Sequence, residues 1–181
     1  TGRPAPAVLA ANERRRAPDS VLLALEVAAA ALAMSGRHAA DVATVFASAH
    51  GDLPITDALC KTLAADPRLL SPTRFHHSVH NAASGYWAIG SGSTANSTAL
   101  AAAQGSFATG LLEALTQCAA DRCPVMLVAY DTEAIGPLRS VNHSRGLLAV
   151  ALVLDPAAAP GGRALTWSLQ AGSAAAPALR S

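Results

Sequence analysis

Residues 125–130 read V-M-L-V-A-Y, an uninterrupted apolar run set between Pro124 and Asp131. It is too short for an average helix and long enough for a strand. A strand apolar at every position is buried on both faces, and something must cover both. Residues 147–154, L-L-A-V-A-L-V-L, repeat the pattern before Asp155-Pro156. Residues 41–48 supply a third strand, in which Val42, Thr44, Val45 and Phe46 suit a pleated, buried setting. The covering layers lie between these runs. Pro18-Asp19-Ser20 starts a helix over 21–34 that is apolar on all sides, as a buried helix is, and Ser35-Gly36 ends it. A second strong helix covers 104–120, with Phe107, Leu111, Leu112 and Leu115 near helical spacing. Strands alternating with helices specify an α/β layered domain.

The weaker signals complete the order. Thr56 is read as capping a short helix to Ala65, and residues 71–80 as a loop after Pro67 and Pro72. Asn81 caps a helix through Ile89, and Gly90 to Ser93 turn the chain. Residues 94–102 read as a strand of small side chains, with alanines that would suit a helix as well, and 163–170 alternate enough for a last strand. The whole of 1–181 is expected to be one domain. Residues 1–17, with Pro4, Pro6 and Arg14-Arg15-Arg16, form a surface arm, and the Ala/Pro/Ser-rich 171–181 a mobile tail.

Composition narrows the function classes. The 181 residues are 51% hydrophobic and 14% charged, the reverse of a disordered chain. A chain this size buries roughly 70% of its unfolded surface, enough for a real core. A net charge of +1 offers nothing to nucleic acid or to an anionic membrane surface. No apolar stretch reaches a membrane span, and the start lacks a basic region followed by an apolar one. Three irregularly spaced cysteines are not a disulfide framework, so a reduced, cytoplasmic setting is expected.

Few residues carry chemistry. His76, His77 and His80 have no Cys or Glu at a zinc-like offset, so local hydrogen bonding is expected of them and no metal. Cys60, Cys118 and Cys123 read as packing residues. Gly90-Ser91-Gly92-Ser93 follows a helix, whereas a phosphate cradle follows a strand and opens one. No Gly-x-Ser-x-Gly elbow occurs. The junction Ala103-Gln104-Gly105-Ser106 is different, because a small-residue strand there meets the positive end of a helix. Such junctions present nucleophiles near backbone N–H donors. Gln104 offers only an amide, which donates and accepts hydrogen bonds but attacks poorly. Either it is a plain helix-start residue, or it stands where a nucleophile has been replaced.

From about Arg15 to Leu154 the sequence resembles the N-terminal half of β-ketoacyl synthases. Residues 16–36 resemble the first long helix of condensing enzymes. Val45-Phe46-Ala47-Ser48-Ala49-His50-Gly51 resembles the strand and glycine loop after it, and residues 78–89 resemble the family's S-x-x-N-x-x-A-G-x-x-(S/A)-I stretch. Residues 98–108 resemble its S-T-A-C-S-S-x-x-A nucleophile strand and elbow. Residues 71–87 are close to the SPTxFHxSVHNAxxGYW stretch of short ketosynthase-like proteins found with aryl-polyene systems. Counted without gaps from Asn81, the family's cysteine falls on Gln104. Glutamine there marks two branches: chain-length factors, which are inactive partners of a ketosynthase, and decarboxylating synthases of loading modules.

The resemblance implies a thiolase-like layered fold, half of a condensing enzyme, with a mixed sheet and helices on both faces. It implies a catalytically silent subunit that pairs with an active ketosynthase and shapes an acyl tunnel in fatty-acid or polyketide (polyene) synthesis. Asn81, Tyr86, Trp87, Gln104 and Phe107 are the tunnel candidates. Ser97, Thr98, Ala99, Leu100 and Ala101 form the strand through which the family dimerises. The partners implied are a ketosynthase and an acyl carrier protein, with oligomerisation expected. No cofactor is implied, although a partner's substrate would be an acyl-phosphopantetheine. The family's catalytic histidines come from its second half, so His76, His77 and His80 do not inherit those roles. Two further functions stay open: an independent malonyl-carrier decarboxylase, and a homodimer that binds acyl groups or acyl carrier protein, with Arg14 to Arg16 meeting an acidic carrier.

Overall fold

The computed structural model describes residues 2–140, 144–157 and 162–168. Among these, four strands form one sheet in the order β2-β1-β3-β4. They are β1 (Ala43–Ala47), β2 (Ser97–Leu100), β3 (Val125–Asp131) and β4 (Leu148–Leu154). β1 runs parallel to both β2 and β3, while β4 lies antiparallel to β3, so the sheet is mixed. The helices are α1 (Ala11–Arg16), α2 (Asp19–Ser35), α3 (Leu53–Ala65), α4 (Pro72–Ser78), α5 (Ala82–Ser91) and α6 (Ser106–Asp121).

The apolar runs sort by strand alternation. Phe46, Met126, Val128 and Tyr130 point to one face, where they meet Val21, Leu22 and Leu25 of α2 and Trp87 of α5. Val45, Ala47, Leu127 and Ala129 point to the other, where Ala114 and Cys118 of α6 cover them. The expected two-sided cover is therefore present, though unevenly. On its face α6 sits over β1 and β3. The β4 residues on that side, Leu148, Val150 and Leu152, stay open, with Leu148 at 73% exposure.

Several expectations are corrected. The segment before α2 is anchored, because Leu9 and Ala17 are buried and α1 forms within it. Arg3 donates to Asp19 and to the carbonyls of Arg14 and Ala17, and Arg14 donates to the carbonyls of Pro6 and Leu9. α3 starts three residues before Thr56, because Asp52 caps it through Ile55 N–H (2.9 Å) and Pro54 suits its first turn. Residues 72–78 are a helix and not a loop for the same reason: Ser71 is the cap, and Pro72 suits the first turn. Residues 163–168 form no strand and lie exposed, since no neighbouring strand meets their alternation. Residues 169 and 170 and the tail 171–181 lie outside the described residues. No helix among the described residues is long and apolar enough to cross a membrane.

Candidate functional site

β2 ends at Leu100 and α6 begins at Ser106, leaving five residues to reverse the chain. Gly105 N–H donates to the Ala102 carbonyl at 2.9 Å, closing a tight turn with Ala103 and Gln104 at its centre. Ala103 has φ +46°, and Gln104 is not among the residues with positive φ. A positive φ at the first central residue of this turn lies in the left-handed region, where glycine is the usual occupant. An alanine held there is strained. Ser106, 4% exposed, holds the turn: its hydroxyl accepts from Ala102 N–H (2.9 Å) and donates to the Ala103 carbonyl (2.7 Å). Ala103, Gln104 and Phe107 are exposed at the N-terminal end of α6, where the helix dipole is positive.

The other sequence-selected residues are divided by the sheet. Trp87 is 3% exposed within the α2-side core, and its indole N–H finds no partner among the described residues. Tyr86 is half-buried and its hydroxyl meets His77 Nε2 at 2.9 Å. Asn81 is exposed and precedes α5 without a side-chain cap, while its carbonyl accepts from Gly85 N–H and Ser84 Oγ. These residues sit on or beside α5, whereas Phe107 is on α6, across the sheet. Among the described residues, a cleft of about 620 Å³ lies between the C-terminal half of α6, the end of β4 and residues 162–167, with Leu115, Cys118, Leu154 and Trp167 in its lining. None of the five tunnel candidates is in that lining. Burial raises the Cys118 thiol, with Cys123 and Asp155 adding to the shift, so it is a poor thiolate.

β2 is an edge strand with one neighbour, and Ser97 is exposed on it. Its polar side chains are tied inward. Thr44 Oγ1 donates to Ser97 Oγ (2.8 Å), and Gln117 Nε2 donates to Thr98 Oγ1 (3.1 Å).

A polar network at the C-terminal ends of β1 and β3 escaped the sequence reading. The Asp131 carboxylate accepts from Ser48 Oγ (3.0 Å) and Ala49 N–H (2.9 Å), and Ser48 Oγ accepts from Gly51 N–H (2.9 Å). His80 Nε2 lies 2.9 Å from the Ser48 carbonyl, which can only accept, so that nitrogen carries the proton. Tyr130 donates to the His80 carbonyl, and burial raises its hydroxyl far above the ordinary tyrosine range, with Asp131 and Asp52 adding to the effect. The signal was available in one respect: Ser48 and Asp131 are each the first polar residue after an apolar run. Among the described residues, no three His, Cys, Asp or Glu side chains are grouped to hold a metal ion.

The sequence matches the family described as β-ketoacyl synthase, N-terminal domain, over residues 1–179. The chain belongs to that family. Its ketosynthase-like structure resembles a ketosynthase (ApeO) in complex with its chain length factor (ApeC) from Xenorhabdus doucetiae. The TM-score is 0.71 at 30% identity, covering 83% of this chain and 63% of that one. A β-ketoacyl synthase from Burkholderia phymatum STM815 follows at TM-score 0.60 and 14% identity, covering 78% and 36%. The ishigamide ketosynthase/chain length factor follows at 0.54 and 15%, covering 71% and 37%. The last two establish the thiolase-like fold alone. This ketosynthase-family chain spans less than two thirds of each of these three chains. None of the curated proteins matches it.

Proposed function

We propose that this chain is a catalytically silent ketosynthase-like subunit that pairs with an active ketosynthase and shapes the acyl tunnel of the pair, in polyketide (polyene) or fatty-acid synthesis. One observation carries the reading. In this reading the turn between β2 and α6, held by Ser106, is the family's nucleophile elbow, and the side chains it displays are the methyl of Ala103 and the amide of Gln104. Neither attacks a thioester.

Three features support a partner. The similar structure at 30% identity is a ketosynthase bound to its chain length factor. β2 offers a free edge whose residues Ser97, Thr98, Ala99 and Leu100, with Ala101 after them, are mostly small enough for close backbone approach. The apolar row of β4 and the outer residues of α6, Phe107 and Leu112, are uncovered, as an interaction surface is. In this reading Phe107 and Gln104 border the acyl chain, and the partner completes the wall that this chain alone does not close. The ketosynthase supplies the thiol and histidines, and the acyl-phosphopantetheine enters on its carrier protein. A direct carrier contact here rests on Arg15 and Arg16, because Arg14 is engaged by the carbonyls of Pro6 and Leu9.

Reconstitution tests the role. A ketosynthase from the same source is assayed with malonyl and starter carrier proteins, with and without this chain, and product lengths are read by mass spectrometry. The chain is expected to change the length distribution, and Phe107→Ala to move it toward longer products. A distribution indifferent to the chain would overturn the proposal.

A further inference from the structure

We infer that Ala103, rather than Gln104, occupies the position from which a nucleophile acts in this elbow. The inference rests on the silent-subunit reading and sharpens it. Ungapped counting assigns the position to Gln104, but the geometry points one residue earlier. In a strand-to-helix elbow the acting side chain sits on the strained residue, which exposes it above the strand end, while the backbone N–H that follows faces the reacting oxygen. Here the residue with φ +46° is Ala103. The side chain that fixes the turn, Ser106 Oγ, bonds the backbone of Ala102 and Ala103, and the turn's closing bond runs from Gly105 to Ala102. Gln104 follows at the second central position, without a positive φ, as the helix begins.

The consequence is functional. If the amide stood at the acting position, it would keep a hydrogen-bond donor and acceptor there, as in both glutamine-bearing branches of the family. With a methyl group there, the elbow presents nothing to an acyl carbon, and Gln104 becomes a neighbour that borders the chain.

Two single cysteines test this, Ala103→Cys and Gln104→Cys, each in a background of Cys60→Ser, Cys118→Ala and Cys123→Ser. Each variant is treated with iodoacetamide across a pH series. The thiolate displaces iodide to form a thioether, and rates are read by intact-mass spectrometry. A thiol at the acting position is expected to titrate at least a unit lower, which below both pKa values gives ~10-fold more thiolate and a correspondingly faster reaction. The thiol at 103 should therefore outpace that at 104. A faster or equal rate at 104 would overturn the inference. Should either cysteine variant fail to fold, Ala103→Gly and Gln104→Gly in the otherwise unchanged chain decide the matter by melting temperature. A gain at 103 with a loss at 104 supports the assignment, and a loss at 103 refutes it. Neither result bears on whether the chain binds a ketosynthase, which the reconstitution reads separately.

Discussion

The seating of α6 is set by one residue, and substituting Gly110 should expose it. A Cβ added at Gly110 would lie 2.7 Å from Ala47 Cβ and 3.0 Å from Leu127 Cδ1. Carbon atoms prefer about 3.5–4.0 Å, so the first contact is roughly 1 Å too short. Leu127 can adjust its rotamer, but Ala47 Cβ is fixed to the backbone of β1, so helix and sheet must separate. Overpacking of this kind costs about 1–3 kcal/mol, and the rigid partner puts this case near 3. Alanine returns about 1 kcal/mol over glycine in a helix interior. Gly110→Ala should therefore lose about 2 kcal/mol, measured by urea unfolding followed by circular dichroism. In an Ala47→Gly background, which lacks the opposing methyl, Gly110→Ala should cost little, a coupling energy of about 2 kcal/mol. The reasoning fails if Gly110→Ala is as stable as the parent or more so, because the helix-propensity gain would then be unopposed.

Other outcomes follow from the same structure. Gly90→Ala places a Cβ 2.9 Å from both the Val8 carbonyl and Leu9 Cδ2, so limited proteolysis should cut the segment before α1 faster than in the parent. Trp87→Phe removes a buried N–H that has no partner among the described residues. It should cost well under the ~3–5 kcal/mol of Trp87→Ala, because lifting the unpaired donor offsets part of the lost volume. Ser106→Ala strips both hydroxyl bonds from the elbow and should lower stability by about 1–2 kcal/mol, read by the same unfolding assay. Burial lowers the His77 imidazole below its ordinary 6.5, as does His76, while Asp52 and Glu13 oppose. The folded state thus favours the neutral ring: its contribution is complete above pH 6.5 and is lost as pH falls through the lowered value. His77→Gln should flatten stability against pH in that acid range, and an unchanged slope would count against this account.

Much of the fold was legible because it rests on uninterrupted apolar runs. Residues 125–130 and 147–154 became β3 and β4, and the all-round apolar 21–34 became most of α2, with Ser35-Gly36 at its end. The errors came from residues whose signal has two readings. Pro72 breaks a helix in its middle and begins one at its first turn, and only the Ser71 cap decides between them. Thr56 and Asp52 are both capping residues, and the bond from Ser20 Oγ to Asp52 (2.7 Å) that helps hold the true cap spans 32 residues. The alternation at 163–168 predicts a strand only if a neighbour exists to pair with it. At the elbow, a glycine would have announced the positive φ, but an alanine does not. The small-residue strand and the helix after it were readable, while the strained position within the turn was not. The family resemblance reached the right fold on its motifs, and ungapped counting settled on the residue next to the strained one.

The central claim is that this chain works as a partner subunit, and light scattering after size exclusion tests it most directly. The chain is run alone, then mixed at micromolar concentration with a ketosynthase from the same source. A mixed complex with a mass equal to the sum of both chains is the result expected from the free edge of β2 and the uncovered faces of α6 and β4. Elution of the two proteins as separate species, with this chain unchanged by the synthase, would contradict it.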